Sequence, residues 1–312
     1  MISDYKKKVI IALDFNNIES AKDLIGKLKG EVYFYKVGLE LFLNCGKEIV
    51  VFLKESGYKI FLDLKFYDIP NTVYNAVKSA GLFGADIINV HASGGIEMMK
   101  AAKKGLSEAE DITGKKIELF AVTVLTSFSS DSLKEIFYFN KSMINIKEKS
   151  IKFNNNGNYY KENGSININD SKPHHNNFEN RYAGGNYNYI SGQQNKLING
   201  KTEENIAENI ALHFAGLAKI SGVDGVVCSP LESMSIKAMF GDDFKTITPG
   251  IRLEENGAVK QNDDQKRIMT PSKAFKSKAD YIVVGRPVIC AADPLLSLKN
   301  IHKDIQNGYL NH

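Results

Sequence analysis

The chain has 312 residues, 43% of them hydrophobic and 24% charged, which is the composition of an ordinary globular protein. Its formal net charge of +4 is spread along the chain without a block of Lys or Arg, so we expect no nucleic-acid partner. Because there is no apolar leader or long apolar run, and the three cysteines form no CxxC pair, we expect no membrane partner and a cytoplasmic location.

Short apolar segments with the character of buried strands recur along the chain. They cover residues 9–15, 32–38, 59–66, 86–92, 118–126, 225–230, 244–251 and 281–287. Between the early ones, apolar side chains recur at three- and four-residue steps, which predicts amphipathic helices at residues 18–28, 40–56, 72–83 and 95–106. Alternating strands and helices predict an α/β fold, the (β/α)8 TIM barrel. The alternative, a doubly wound sheet, lacks its glycine-rich phosphate loop after the first segment.

One segment departs from this alternation. From about residue 140 to about residue 201 the chain is rich in Asn, Tyr, Gly, Ser and Lys and poor in aliphatic residues. Because such a segment buries too little apolar surface to offset the entropy of ordering, we expect a disordered, low-complexity insertion after strand 5. The prediction is therefore a single barrel domain over residues 1–312 with an insertion at residues 140–201.

Three charged residues, Asp63, Lys65 and Asp68, crowd the end of the third predicted strand. Residues two apart in a strand point to the same face, so Asp63 and Lys65 should project together, with Asp68 in the following loop. Barrel enzymes place their active sites at the C-terminal ends of the strands. Other polar and glycine residues at such ends are Asp14, Lys36, Thr126, Arg252, Gly285 and Arg286.

This pattern of residues favours chemistry in which a carbanion is made and protonated. Lysines and aspartates on neighbouring strands keep each other charged, and a lysine can supply the proton. Gly285 lets a ligand approach the backbone closely, while Arg286 and Arg252 can bind phosphate. The structural alternatives are a solvated loop with a salt bridge, for Lys36 a side chain that only reaches toward solvent, and for Arg252 a loop cation without a ligand.

Residues 63–72, DLKFYDIPNT, are similar to the DxKxxDIxxT signature of the bacterial-type orotidine 5'-phosphate decarboxylase family. Shorter matches lie at residues 13–14, 35–38, 122–127, 225–229, 248–252, 264–271 and 284–287. The resemblance implies a homodimeric barrel that converts orotidine 5'-phosphate to uridine 5'-phosphate and CO2. This is the last step of de novo pyrimidine nucleotide synthesis, and the family performs it without a metal or an organic cofactor.

The resemblance also implies roles for single residues. Lys65 would protonate C6 of the pyrimidine, and Asp63 would lie against the departing carboxylate. Lys36 and Asp14 would hold the ribose hydroxyls and order the charges. Asp68 is the fourth catalytic candidate, and it would reach into the partner subunit's site together with Thr72.

The remaining candidates bind substrate. Ile69 is one of them, and Thr126 would contact the pyrimidine. Those implied to hold the phosphate are Arg252, Gln265, Gly285 and Arg286. Two other functions stay open: a sugar-phosphate decarboxylase or aldolase of the same barrel group that uses magnesium, and a catalytically silent barrel that binds nucleotides.

Overall fold

A closed barrel of eight parallel strands forms the core of the computed structural model, which describes residues 5–137, 151–153, 159–161, 206–253 and 267–310. The barrel strands are β1 Val9–Ala12, β2 Phe34–Gly38, β3 Lys59–Phe66, β4 Ile87–His91, β5 Glu118–Val122, β8 Gly225–Val227, β9 Lys245–Thr248 and β10 Tyr281–Val284. They follow chain order around the barrel, and β1 pairs with both β2 and β10 to close it. The predicted (β/α)8 fold is confirmed.

Helices connect the strands. The α-helices within the described residues are Ile18–Lys27, Leu39–Cys45, Glu48–Glu55, Pro70–Leu82, Gly95–Thr113, Ser130–Phe137, Ile206–Ile220, Ser233–Phe240, Pro271–Lys276, Arg286–Ile289 and Pro294–Leu310. In this part of the chain, no helix combines the length and apolar character needed to cross a membrane.

The chain divides into two compact units, one of Met1–Ser129 with Asn205–His312 and the other of Ser130–Glu204. The first contains the barrel. Within the second, β6 (Ile151–Phe153) pairs antiparallel with β7 (Tyr159–Lys161). The predicted insertion at residues 140–201 falls inside this second unit, and most of it lies outside the described residues. Its disorder, and the single domain over residues 1–312, stay predictions.

Two kinds of predicted boundary are wrong, each for an identifiable reason. The helix expected at residues 40–56 is two helices, because Gly46 adopts a left-handed φ of 58° at the end of the first. Several strands end earlier than their apolar runs, since the chain stays apolar and buried in the loop that follows. Leu13, for example, is fully buried one residue beyond β1.

Side chains that point into the barrel form one apolar cluster. Its buried members are Ile10, Ala12, Phe34, Phe61, Ile87, Phe120, Val122, Val227, Ile247 and Val283. Because strand residues two apart share a face, the next inward positions after Phe34, Phe61 and Ile87 are Lys36, Asp63 and Asn89. The interior therefore changes from apolar to charged and polar toward the C-terminal ends of the strands.

Close packing of two helices, Pro70–Leu82 and Gly95–Thr113, leads to a stability prediction. A Cβ atom at Gly105 would lie 2.2 Å from the backbone oxygen of Tyr74, whereas one at Gly26 would meet no atom within 4 Å. Gly105→Ala should lower the free energy of unfolding by about 1–3 kcal/mol, because backbone atoms cannot move aside cheaply.

Gly26→Ala is the matched control and should raise the free energy of unfolding by up to about 1 kcal/mol through helix propensity alone. Urea unfolding of both variants beside the wild type measures the difference. Equal stabilities for the two variants would contradict the close approach at Gly105.

Candidate active site

A cavity of about 300 Å³ opens at the C-terminal ends of the strands. Its floor is apolar, since Ala12, Phe61, Val122, Val227 and Val283 line it and belong to the interior cluster. Its charged lining residues are Asp14, Lys36, Asp63, Lys65, Arg252 and Arg286. Charges above an apolar floor interact more strongly than charges in water, because less solvent screens them.

Four of these residues form a chain of alternating charge. The Nζ of Lys36 lies 2.9 Å from Oδ1 of Asp14 and 3.3 Å from Oδ2 of Asp63. The Nζ of Lys65 lies 2.7 Å from Oδ1 of Asp63. Two neighbouring strands, β2 and β3, and the loop after β1 supply these side chains, so the pairing of β2 with β1 and with β3 brings them together.

The two middle residues of this series of charges are buried, with 9% exposure for Lys36 and 8% for Asp63. Burial alone would lower the pKa of Lys36, but the charges of Asp63 and Asp14 outweigh it and raise this pKa. Burial alone would raise the pKa of Asp63, but Lys36 and Lys65 outweigh it and lower this pKa. Both groups therefore stay charged at neutral pH.

Lys65 reaches its position through an irregular backbone. Its φ is 51°, which is in the left-handed region, and the pairing of β3 with β4 shifts register between Leu62 and Phe66. A non-glycine residue in this region costs of the order of 1–3 kcal/mol, and such strain clusters at functional sites. The prediction that Asp63 and Lys65 project together is correct. The reason differs from the predicted one, because the strand is bulged at this point and does not alternate regularly.

The other predicted site residues divide into two groups. Thr126, Arg252, Gly285 and Arg286 line the cavity together with the charged chain. Three do not line it, namely Asp68, Ile69 and Thr72. Gln265 lies outside the described residues.

Two of the residues that do not line the cavity, Asp68 and Ile69, lie in the loop after β3. Asp68 is exposed, and its Oδ1 accepts a hydrogen bond of 2.6 Å from the backbone N–H of Ile69. Its neighbours Tyr67 and Ile69 are 60% and 67% exposed. Large apolar side chains next to a functional site are typical of an interaction surface.

Sequence reasoning assigned no role to Arg267, although its motif was recognised. Its guanidinium forms an ion pair with the buried Glu232 and donates hydrogen bonds to the backbone oxygens of Val124 (3.2 Å) and Leu125 (2.9 Å). Val124 and Leu125 line the cavity. Arg267 therefore supports one wall of the cavity. No local pattern could identify its backbone partners Val124 and Leu125, which are more than a hundred residues away in the chain.

A second residue that sequence reasoning missed is Asn89. It is a fully buried amide in β4, bonded to both Asp63 and Lys65. The available signal was a polar residue within the otherwise apolar run IINV.

Comparisons with known proteins identify the family. The model of the "Orotidine 5'-phosphate decarboxylase / HUMPS family" matches residues 7–169 and 191–301. A protein of Saccharophagus degradans named orotidine 5'-phosphate decarboxylase is 37% identical over 303 residues, or 97% of each chain. A protein of the same name from Fusobacterium nucleatum is 37% identical over 289 residues, covering 93% of this chain and 92% of the relative. The chain belongs to this family.

Solved structures agree with membership of the orotidine 5'-phosphate decarboxylase / HUMPS family. The crystal structure of orotidine 5'-phosphate decarboxylase from Lactobacillus acidophilus superposes with a TM-score of 0.65 at 32% identity, covering 96% of this chain and 99% of the other. The two matched ranges of the family model include every predicted site residue, and the gap between residues 169 and 191 lies within the predicted insertion.

The brace formed by Glu232 and Arg267 predicts a specific pH dependence of stability. Burial raises the pKa of Glu232 to about 7 from the ordinary 4.5, although Arg267 and the N–H of Ser229 favour the ionised form. The folded state therefore binds a proton that the unfolded state has released, and stability decreases as pH rises from about 4.5 to about 7.

Glu232→Gln removes this titration. The free energy of unfolding of the wild type minus that of the variant should fall by on the order of 3 kcal/mol across that window. Chemical unfolding of both proteins at several pH values measures the difference. A difference that stays level or increases with pH would contradict a raised pKa at Glu232.

Proposed function

We propose that this chain decarboxylates orotidine 5'-phosphate to uridine 5'-phosphate and CO2 in pyrimidine biosynthesis. The observation that carries the proposal is the alternating chain of Asp14, Lys36, Asp63 and Lys65 above an apolar floor. The names of the curated relatives, which match nearly the full length of both chains, support it independently.

The reaction breaks the bond between C6 of the pyrimidine and its carboxylate carbon. CO2 leaves, the electron pair stays on C6, and the ammonium of Lys65 gives its proton to C6 to form the new C–H bond. Asp63 faces the departing carboxylate and repels it in the bound substrate, and this repulsion is relieved as CO2 leaves. Lys36 holds Asp63 ionised from the other side, at 3.3 Å.

The rest of the cavity suits the remainder of the nucleotide. Lys36 and Asp14 are assigned to the ribose hydroxyls, and Thr126 to the pyrimidine. Arg252 and Arg286 line the cavity, and their guanidinium groups are assigned to the phosphate, together with Gly285. Gln265 is assigned to the phosphate by motif alone. Binding energy from the phosphate can be used to orient the reacting ring, so loss of these contacts should reduce turnover as well as affinity.

The reaction is proposed to need no metal ion, and this separates it from the sugar-phosphate alternative. That alternative uses magnesium with an enediolate, so it predicts loss of activity in a chelator. A catalytically silent barrel is disfavoured, because a chain of buried charges is costly to retain without a function.

We also propose that the chain is a homodimer in which Asp68 and Thr72 complete the partner's site, with Ile69 beside them. All three lie outside the lining of their own cavity, and Asp68 is exposed. The exposed side chains of Tyr67 and Ile69 supply apolar surface for a subunit interface. The cytoplasm is the proposed location, which the three free thiols support.

The central test is the loss of pyrimidine absorbance when the protein meets orotidine 5'-phosphate in excess EDTA. The wild type should turn over rapidly, and Lys65→Ala should lose at least about 100-fold in kcat because the proton donor is gone. Lys22→Ala is a control on an exposed ion pair and should stay within about twofold of the wild type. No turnover by the wild type, or turnover only when magnesium replaces EDTA, would overturn the proposal.

Mixing variants tests the shared site. Lys65→Ala and Asp68→Ala chains should each be nearly inactive alone, whereas their mixture should recover about a quarter of wild-type activity. Random exchange makes half of the dimers mixed, and each mixed dimer has one intact site of its two. Lys65→Ala mixed with a chain carrying both substitutions is the control and should recover nothing. No recovery despite verified subunit exchange would contradict a contribution from the partner.

A further inference from the structure

Asn89 forms hydrogen bonds with both Asp63 and Lys65. Its side chain is fully buried in β4, where an amide requires hydrogen-bond partners. Its Oδ1 accepts a hydrogen bond of 2.8 Å from the backbone N–H of Lys65, and its Nδ2 donates one of 2.7 Å to Oδ1 of Asp63. These partners fix the orientation of the amide, because an N–H only donates and an ionised carboxylate only accepts.

The first contact supports the bulge in β3. Leu62 pairs with Ile88 and Phe66 pairs with Val90, so residues 63–65 face the single position Asn89. Lys65 adopts its left-handed φ of 51° at this point, and its N–H bonds to the side chain of Asn89. The amide oxygen thus satisfies a backbone group that the shift in register removes from the regular ladder.

The second contact acts on the charge of Asp63. Its Oδ1 receives two donors, the amide of Asn89 and the ammonium of Lys65, each at 2.7 Å. A hydrogen bond donated to a carboxylate favours its ionised form, and Asn89 is one of the groups that lower the pKa of Asp63. Removing the amide would therefore make Asp63 easier to protonate.

We propose that Asn89 is a positioning residue for the decarboxylation, which holds the backbone bulge that aims the ammonium of Lys65 and fixes the orientation and charge of Asp63. This inference rests on the proposed function. Asn89 is absent from the lining of the cavity, so it acts through Lys65 and Asp63 rather than by touching the substrate.

The test compares Asn89→Ala with the wild type in orotidine 5'-phosphate turnover. We expect kcat to fall about 100-fold, while the dissociation constant of uridine 5'-phosphate changes by less than about threefold, because the phosphate and ribose contacts remain. The acidic limb of the kcat pH profile should move to higher pH, since Asp63 loses a donor. A purely structural role for Asn89 would not move this limb.

Asn89→Asp provides a second variant of nearly the same shape, which keeps the test available if Asn89→Ala does not fold. It retains an acceptor for the N–H of Lys65 but places a second carboxylate beside Asp63, so the acidic limb should move further up in pH. Thr246→Val is the matched control. It removes another buried hydrogen bond of the barrel, to Oγ of Ser233, and should leave both kcat and the limb unchanged.

The outcomes separate this inference from the proposed function. No turnover by the wild type would remove the proposed function itself. An active wild type with a variant kcat within about threefold of it would overturn the role of Asn89 alone. A reduced kcat with an unmoved acidic limb, or an equal loss of affinity for uridine 5'-phosphate, would overturn it as well.

Discussion

The mutual neutralisation of Asp14, Lys36, Asp63 and Lys65 is the interaction on which the site depends. Two of these groups are almost fully buried, and either one alone would lose its charge or destabilise the fold. Alternation of sign removes this conflict, because each charge has an opposite neighbour within 3.3 Å. The arrangement holds an ammonium group beside a carboxylate that stays ionised, and the proposed decarboxylation requires both groups in these charge states.

The barrel makes this arrangement possible through its two-residue periodicity. On β2, β3 and β4, Phe34, Phe61 and Ile87 point inward and belong to the apolar cluster. Two residues further along the same strands, Lys36, Asp63 and Asn89 point inward as well. Apolar packing below the charged residues makes their surroundings rigid and lowers the local dielectric constant, so the charges are held in place and interact strongly. The bulge in β3 is the local departure from regular geometry, and it lies at Lys65, the proposed proton donor.

Support for the site also comes from residues that need not touch the substrate. Arg267 joins Glu232, beyond β8, to the backbone of Val124 and Leu125, beyond β5. Backbone hydrogen bonds from Arg252 to Met269 and from Met269 to Gly250 tie together the chain on either side of residues 254–266. The walls of the cavity are therefore braced to one another as well as to the barrel.

The sequence by itself determined the fold class, the eight strands and the family, because strand periodicity and the DLKFYDIPNT motif are local in the chain. It also predicted that Asp63 and Lys65 share a face, although not the left-handed backbone that brings this about. Only the tertiary structure decided that Asn89 forms hydrogen bonds with both of them, that Arg267 supports a distant wall of the cavity, and that Asp68 is exposed and does not line its own cavity. These facts depend on strand register and barrel closure, which join residues far apart in the chain through contacts that no local pattern encodes.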